Sequence, residues 1–212
     1  LSRPRIHRAV PRERLFRRLD ELCSQYSAVW ISGPPGAGKT SLVSSWLDAR
    51  RRPFCWYQVD SGDGDASTFI SFLVDTAAYG AARESLPYLT IDYADDKAGF
   101  GRRFFRTLFA RFDAETVYVF DNCQEAAGAD FHALLKSAMS QVPLAGCSIF
   151  VSREAPPQDF AKHLADRTIG LMEWDELRLT AEETSAIIGR GGTDGEAARR
   201  MHDRSGGWPA GV

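Results

Sequence analysis

The stretch Gly33-Pro34-Pro35-Gly36-Ala37-Gly38-Lys39-Thr40 matches the pattern GxxxxGK[ST] at every fixed position. Glycines at this spacing let the backbone turn tightly, so that successive N–H groups point at phosphate oxygens, and a following helix adds the positive end of its dipole. Lys39 is expected to reach the β- and γ-phosphates of a nucleotide, and Thr40 to offer its hydroxyl to Mg²⁺. The expected phosphate-binding set is Gly33, Pro35, Gly36, Ala37, Gly38, Lys39, Thr40 and Ser41. A chance match in a chain of this length is on the order of one per cent, before a strand and a helix are required on either side. An ordinary Gly-Pro turn ahead of a helix leaves the lysine unexplained.

A second chemical group follows at Val117-Tyr118-Val119-Phe120-Asp121, an apolar run ending in one carboxylate. At the carboxyl edge of a doubly wound sheet, Asp121 completes a Mg²⁺ site with Thr40. Hydrolytic enzymes of this kind often place an acid next, to orient water, but the neighbour is Asn122, which accepts no proton. Slow turnover is expected. Glu125 is either a substitute for that acid or a solvated loop residue. Arg153 ends another apolar run, Ser148 to Ser152, and two readings fit it: a guanidinium on the γ-phosphate, or a surface ion pair with Glu154 or a nearby acid. Lys39, Asp121 and Arg153 are the residues expected to carry any chemistry. His7, His132, His163 and His202 lack metal-ligand spacing, and Asp60, Asp63 and Asp65 lack the fixed positions of a calcium loop. They read as packing or surface histidines and as a polar turn that caps the next helix.

These groups need strands to end at one edge. Strands are predicted at Ala28 to Ser32, Phe54 to Val59, Thr116 to Asp121, Cys147 to Ser152 and, more weakly, Thr168 to Met172. Helices are predicted at Arg12 to Ser24, Lys39 to Ala49, Ser67 to Ala82, Ala98 to Phe112 and Ala129 to Gln141. Alternation of this kind implies an α/β fold with a mostly parallel sheet, and the GxxxxGK[ST] loop after its first strand makes the expected form a three-layer sandwich of the P-loop NTPase type. Later the pattern turns helical. Thr180 and Glu183 form a capping-box signature, a Gly-rich break spans Gly189 to Gly195, and a short helix covers Glu196 to Arg204. The expected division is a basic arm and lead-in helix at 1–24, a nucleotide-binding domain at 25–175, and the start of a helical subdomain at 176–212.

The 212 residues carry 26 basic and 28 acidic side chains, so no dominant nucleic-acid surface shows in the net charge of −2. No apolar run has membrane-span length, so a soluble protein without a membrane partner is expected. Cys23, Cys55, Cys123 and Cys147 form no CxxC pair, which fits core thiols in a reducing compartment, hence the cytoplasm. Arginines crowd the start at Arg3, Arg5, Arg8, Arg12, Arg14, Arg17 and Arg18. They read as a solvated arm entering a helix, as a phosphate or nucleic-acid contact, or as a mimic of a transit peptide. Because the chain starts at Leu1 and stops at Val212 just after a Gly-Gly-Trp-Pro turn, it is expected to be a piece of a longer protein.

The order of several short motifs resembles the nucleotide-binding module of MalT-like signal-transducing ATPases of the STAND class. These are Val10 to Leu15, Ile31 to Thr40 with Leu42 and Trp46, Trp56 to Asp60 with Gly62, Asp63 and Phe69, Val151 to Arg153, Leu177 to Glu183, and Ser205 to Gly211. The resemblance implies a switch in larger bacterial transcription regulators, with ADP held in a closed state and ATP promoting an open, self-associating one. It implies that Arg153 senses the γ-phosphate and that Pro209 packs near the adenine. It places DNA binding in domains outside this chain. A remodelling ATPase of the AAA+ type is the alternative, against which stand the missing second acid and Ser152-Arg153 in place of a polar Asn or Thr sensor. A small-molecule kinase would need an Arg-rich lid, and Arg102, Arg103 and Arg106 read instead as the polar face of an amphipathic helix.

Overall fold

Five apolar runs form the strands β1 (Ala28–Ser32), β2 (Phe54–Gln58), β3 (Val117–Asp121), β4 (Cys147–Ser152) and β5 (Ile169–Met172). The computed structural model describes residues 3–4, 10–77, 86–87, 89, 96–189 and 195–211. The strands make one sheet in the order β2-β3-β4-β1-β5, with every pair parallel. Parallel strands covered on both faces cannot show polar alternation, which is why these segments read as continuous hydrophobic runs.

Period-two alternation nevertheless sorts each strand's side chains between two cores. Val29, Ile31, Trp56, Val119, Ile149 and Met172 share one core with α1 (Glu13–Gln25) and α2 (Lys39–Arg50). Trp30, Tyr57, Tyr118, Phe120 and Phe150 share the other with α3 (Ala66–Ala77), α4 (Lys97–Phe109) and α5 (Ala129–Gln141). Aromatic rings dominate this second core, with Phe69 edge-on to Tyr57 and Phe131, and Phe109 stacked on Tyr118. Burial of both faces is the main stabilising term.

After β1 the chain crosses by α2 to the edge strand β2, on one face of the sheet. After β4 it crosses by the short α6 (Ala161–Ala165) to β5, and Phe160 and Leu164 there join the other core. Because β1 and β4 are neighbours, in register at Ser32 and Ser152, and their crossovers α2 and α6 pack into opposite cores, the carboxyl edge between them is a topological switch point, the place where sheets of this kind bind ligands. The glycine-rich segment follows β1 at that edge.

The expected strands agree with the structure to within a residue, and Val59, one past β2, still donates to the Asp121 carbonyl. The helix expected to reach Phe112 ends at Phe109, because Arg111 and Phe112 turn back onto the carbonyls of Leu108 and Phe109. The expected end of α3 at Ala82, most of the Gly-rich break expected at 189–195, and Arg5, His7 and Arg8 lie outside the described residues. Cys123 and Cys147 are buried and Cys23 and Cys55 partly so. Burial pushes the Cys55 thiol up to about 11. No described helix is long and apolar enough to cross a membrane.

Beyond β5 come α7 (Trp174–Leu177), α8 (Ala181–Ile188) and α9 (Gly195–Ser205). The capping box forms as read: Thr180 accepts from the Glu183 amide, and the Glu183 carboxylate accepts from the Thr180 amide. That carboxylate also receives Arg12 at 3.1 Å and Arg14 at 3.4 Å. Arg12 is only 8% exposed and donates further to the carbonyls of Leu177 and Arg178. The basic lead-in is therefore not simply solvated, since Arg12, Arg14 and Arg18 bind α1 to residues 176–183.

Candidate functional site

The glycine-rich loop is shaped by two left-handed residues. Gly36 and Gly38 have φ of +77° and +78°, where a Cβ is strained, and Gly38 is the cap from which α2 starts. The amides of Lys39, Thr40 and Ser41 belong to the first turn of α2, whose N–H groups find no partner inside their own helix. A concave run of N–H groups backed by a helix N-terminus is an anion-binding arrangement.

Lys39 reaches back across this loop, donating from Nζ to the carbonyls of Gly33 at 2.5 Å and Pro34 at 3.0 Å. Burial lowers its pKa, the nearby positive charge of Arg153 lowers it further, and Asp121 partly opposes both. An anion in the loop relieves each of these costs. Thr40 Oγ1 lies 3.1 Å from both carboxylate oxygens of Asp121. Burial raises the Asp121 pKa, while the Thr40 hydroxyl, the Asn122 amide and Lys39 pull it back. Asp121 thus ends β3 aimed at the start of α2.

Asn122 follows in a left-handed conformation, φ +64°, and its amide donates to Asp121 at 3.0 Å. It starts a single tight turn, Cys123 to Glu125, that bends the chain toward the end of β4. There the Gln124 side chain accepts from the Arg153 amide at 2.9 Å, and Glu125 pairs with the Arg153 guanidinium at 3.4 Å. Of the two readings of Arg153, the ion pair is the arrangement seen, with Glu125 rather than Glu154 as partner.

The C-terminal Gly-Trp-Pro turn also arrives at the loop. Trp208 Nε1 donates to the Pro35 carbonyl at 3.1 Å, and Pro209 lies 3.8 Å from the position a Gly38 Cβ would take. Ala210 stands 2.6 Å from the equivalent point on Gly36, so the two segments touch only because Gly36 has no side chain. Lys39, Thr40, Asp121 and Pro209 are therefore brought together around the loop, with Arg153 at its rim.

Three contacts were not legible in the sequence. Trp208 and Pro35 are far apart in the chain, as are Arg12 and Glu183, and no spacing pattern joins them. Asp63 is fully buried and, besides closing the capping box at Asp60 as the polar turn predicts, accepts the Tyr57 hydroxyl at 2.7 Å, while Asp60 and Asp65 cap turns as expected. Burial raises the Asp63 pKa and makes it a structural group. His132, His163 and His202 bond to Asp159, Thr168 and Thr184, and the described residues contain no cluster of three or more metal-ligating side chains.

No protein-family model matches this chain. Over 75 residues, 35% of its length, the chain is 41% identical to the HTH-type transcriptional regulator MalT of Cronobacter sakazakii. Two MalT regulators of Klebsiella pneumoniae strains are 40% identical over the same length. The matched stretch spans 8% of the length of each relative. These similarities support a relationship to MalT-like regulators.

Proposed function

We propose that this chain is the nucleotide-binding switch module of a larger, MalT-like transcription regulator of the STAND class. It binds ATP and ADP with Mg²⁺, and conformational change rather than rapid turnover carries its function. The carrying observation is the convergence of Thr40 and Asp121 beside a loop whose glycines hold left-handed conformations.

The donor set fits the groups required. A hydroxyl and one carboxylate are hard oxygen donors, too few for an all-protein cage and suited to an ion that keeps waters and phosphate oxygens. Thr40 and Asp121 would hold Mg²⁺, which would neutralise phosphate charge. Lys39 would exchange the Gly33 and Pro34 carbonyls for phosphate oxygens, the α2 amides would hold the β-phosphate, and Arg153 would report the γ-phosphate. Pro209, which stands beside Gly38, would pack near the adenine. Asn122 accepts no proton, so any hydrolysis is slow and acts as a reset.

In this reading residues 25–175 form the nucleotide-binding domain and 176–212 begin a helical one. The full-length cytoplasmic protein self-associates in its ATP state and reaches DNA through domains outside this chain. Denaturing the purified protein and quantifying the released nucleotide tests the switch. Near-stoichiometric ADP is expected, whereas an empty site with rapid turnover of added ATP would favour a remodelling ATPase.

A further inference from the structure

We infer that Glu125 is the resting counter-ion of Arg153 and sets how strongly the site prefers ATP over ADP. The inference rests on the nucleotide-binding reading above and goes beyond it by naming the group that competes with the γ-phosphate.

The arrangement is built by backbone as well as by charge. Asn122, in its left-handed conformation, turns the chain after β3 so that Gln124 and Glu125 face the end of β4. The Gln124 amide spans the gap. Its oxygen accepts from the Arg153 backbone at 2.9 Å, and its nitrogen donates to Glu125 Oε1 at 3.0 Å. The same Glu125 oxygen lies 3.4 Å from Arg153 Nη2. The carboxylate is thereby held on the guanidinium.

Arg153 also belongs to the phosphate loop electrostatically, because its charge depresses the Lys39 ammonium. Its side chain is 53% exposed and so is free to swing between partners. A γ-phosphate that engages Nη2 must draw it from Glu125, which lies against that same nitrogen. ADP carries no γ-phosphate and leaves the pair intact. Glu125 thus taxes ATP binding alone.

An exposed pair of this geometry is a weak competitor. Glu125→Ala is expected to tighten a non-hydrolysable ATP analogue about two- to fivefold by calorimetry, with ADP affinity unchanged. In an Arg153→Ala background the same substitution should have no effect on either nucleotide, because the competitor has lost its target. Equal tightening of both nucleotides, or an effect that survives Arg153→Ala, would mean general charge repulsion and would overturn the inference while nucleotide binding stands. Absence of binding of either nucleotide to the unaltered chain would overturn the nucleotide reading itself, and this inference with it.

Discussion

The Thr40 hydroxyl sits 3.1 Å from both oxygens of the Asp121 carboxylate, across 81 positions of sequence. The sheet order makes this possible. β3 stands two places from β1, with β4 between them, and all three end at the same edge. One hydroxyl proton cannot satisfy two buried carboxylate oxygens, and the Asn122 amide supplies the remaining bond. The acid is solvated enough to persist and too poorly to be comfortable.

Asp121→Asn is therefore expected to stabilise the fold while damaging the site. Burial holds the folded-state pKa of Asp121 above the value of about 3.9 in an unfolded chain. The folded protein thus binds that proton more tightly. The stability it confers is fully present below the unfolded pKa and is lost as pH rises through the folded one. At neutral pH the charge weighs against folding. Removing it should add about 1 kcal/mol, or about 2–4 °C in Tm, and should abolish the Mg²⁺ dependence of nucleotide affinity. Thermal melts at pH 7, with calorimetric titrations with and without Mg²⁺, check both halves.

Arg12→Ala should be among the more costly single substitutions on the basic segment. It leaves the Glu183 carboxylate, 13% exposed, with Arg14 as its remaining cation, and strips donors from the Leu177 and Arg178 carbonyls. A loss of about 2–3 kcal/mol is expected, lowering Tm by about 5–10 °C. Arg17→Ala is the control, since Arg17 is 75% exposed in a loose pair with Glu13. It should cost at most a few tenths of a kcal/mol.

Trp208→Phe keeps an aromatic ring but removes the indole donor to Pro35. The bond is half in solvent, with Trp208 41% exposed, so about 0.5–1 kcal/mol is expected. The larger effect should come from Gly36→Ala, which adds a methyl at φ +77° and 2.6 Å from Ala210. That substitution should expose residues 208–211 to proteolysis and weaken nucleotide binding together. Limited digestion with mass spectrometry, run beside a nucleotide titration, reads both; loss of one without the other would uncouple the segment from the loop.

The sequence showed what local rules encode. Apolar runs bounded by turns placed the five strands, and the GxxxxGK[ST] spacing with an acid ending β3 placed Lys39, Thr40 and Asp121. The capping box at Thr180 and the polar turn at Asp60 follow from side chains bonding to backbone a few residues away. Contacts set by tertiary folding were hidden. Nothing in the spacing of Arg12 marks it as the buried partner of Glu183, and an arginine-rich start ordinarily lies in water. Glu125 was legible as a loop acid near the site, but its pairing with Arg153 required knowing that β3 and β4 are neighbours. Trp208 stands in a Gly-Trp-Pro turn whose spacing names no partner, and only the path of the chain back to Pro35 gives it one.

The most direct test of the central claim is a calorimetric titration of the purified chain, freed of any co-purifying nucleotide, with ADP and Mg²⁺, beside the Lys39→Ala variant. Lys39 spans the loop and holds the Gly33 and Pro34 carbonyls, so its loss removes the loop's charged donor. One site per chain is expected, with an affinity about 10- to 150-fold weaker in the variant and its fold retained by circular dichroism. Equal affinity in both proteins, or no heat from the unaltered chain, would contradict it.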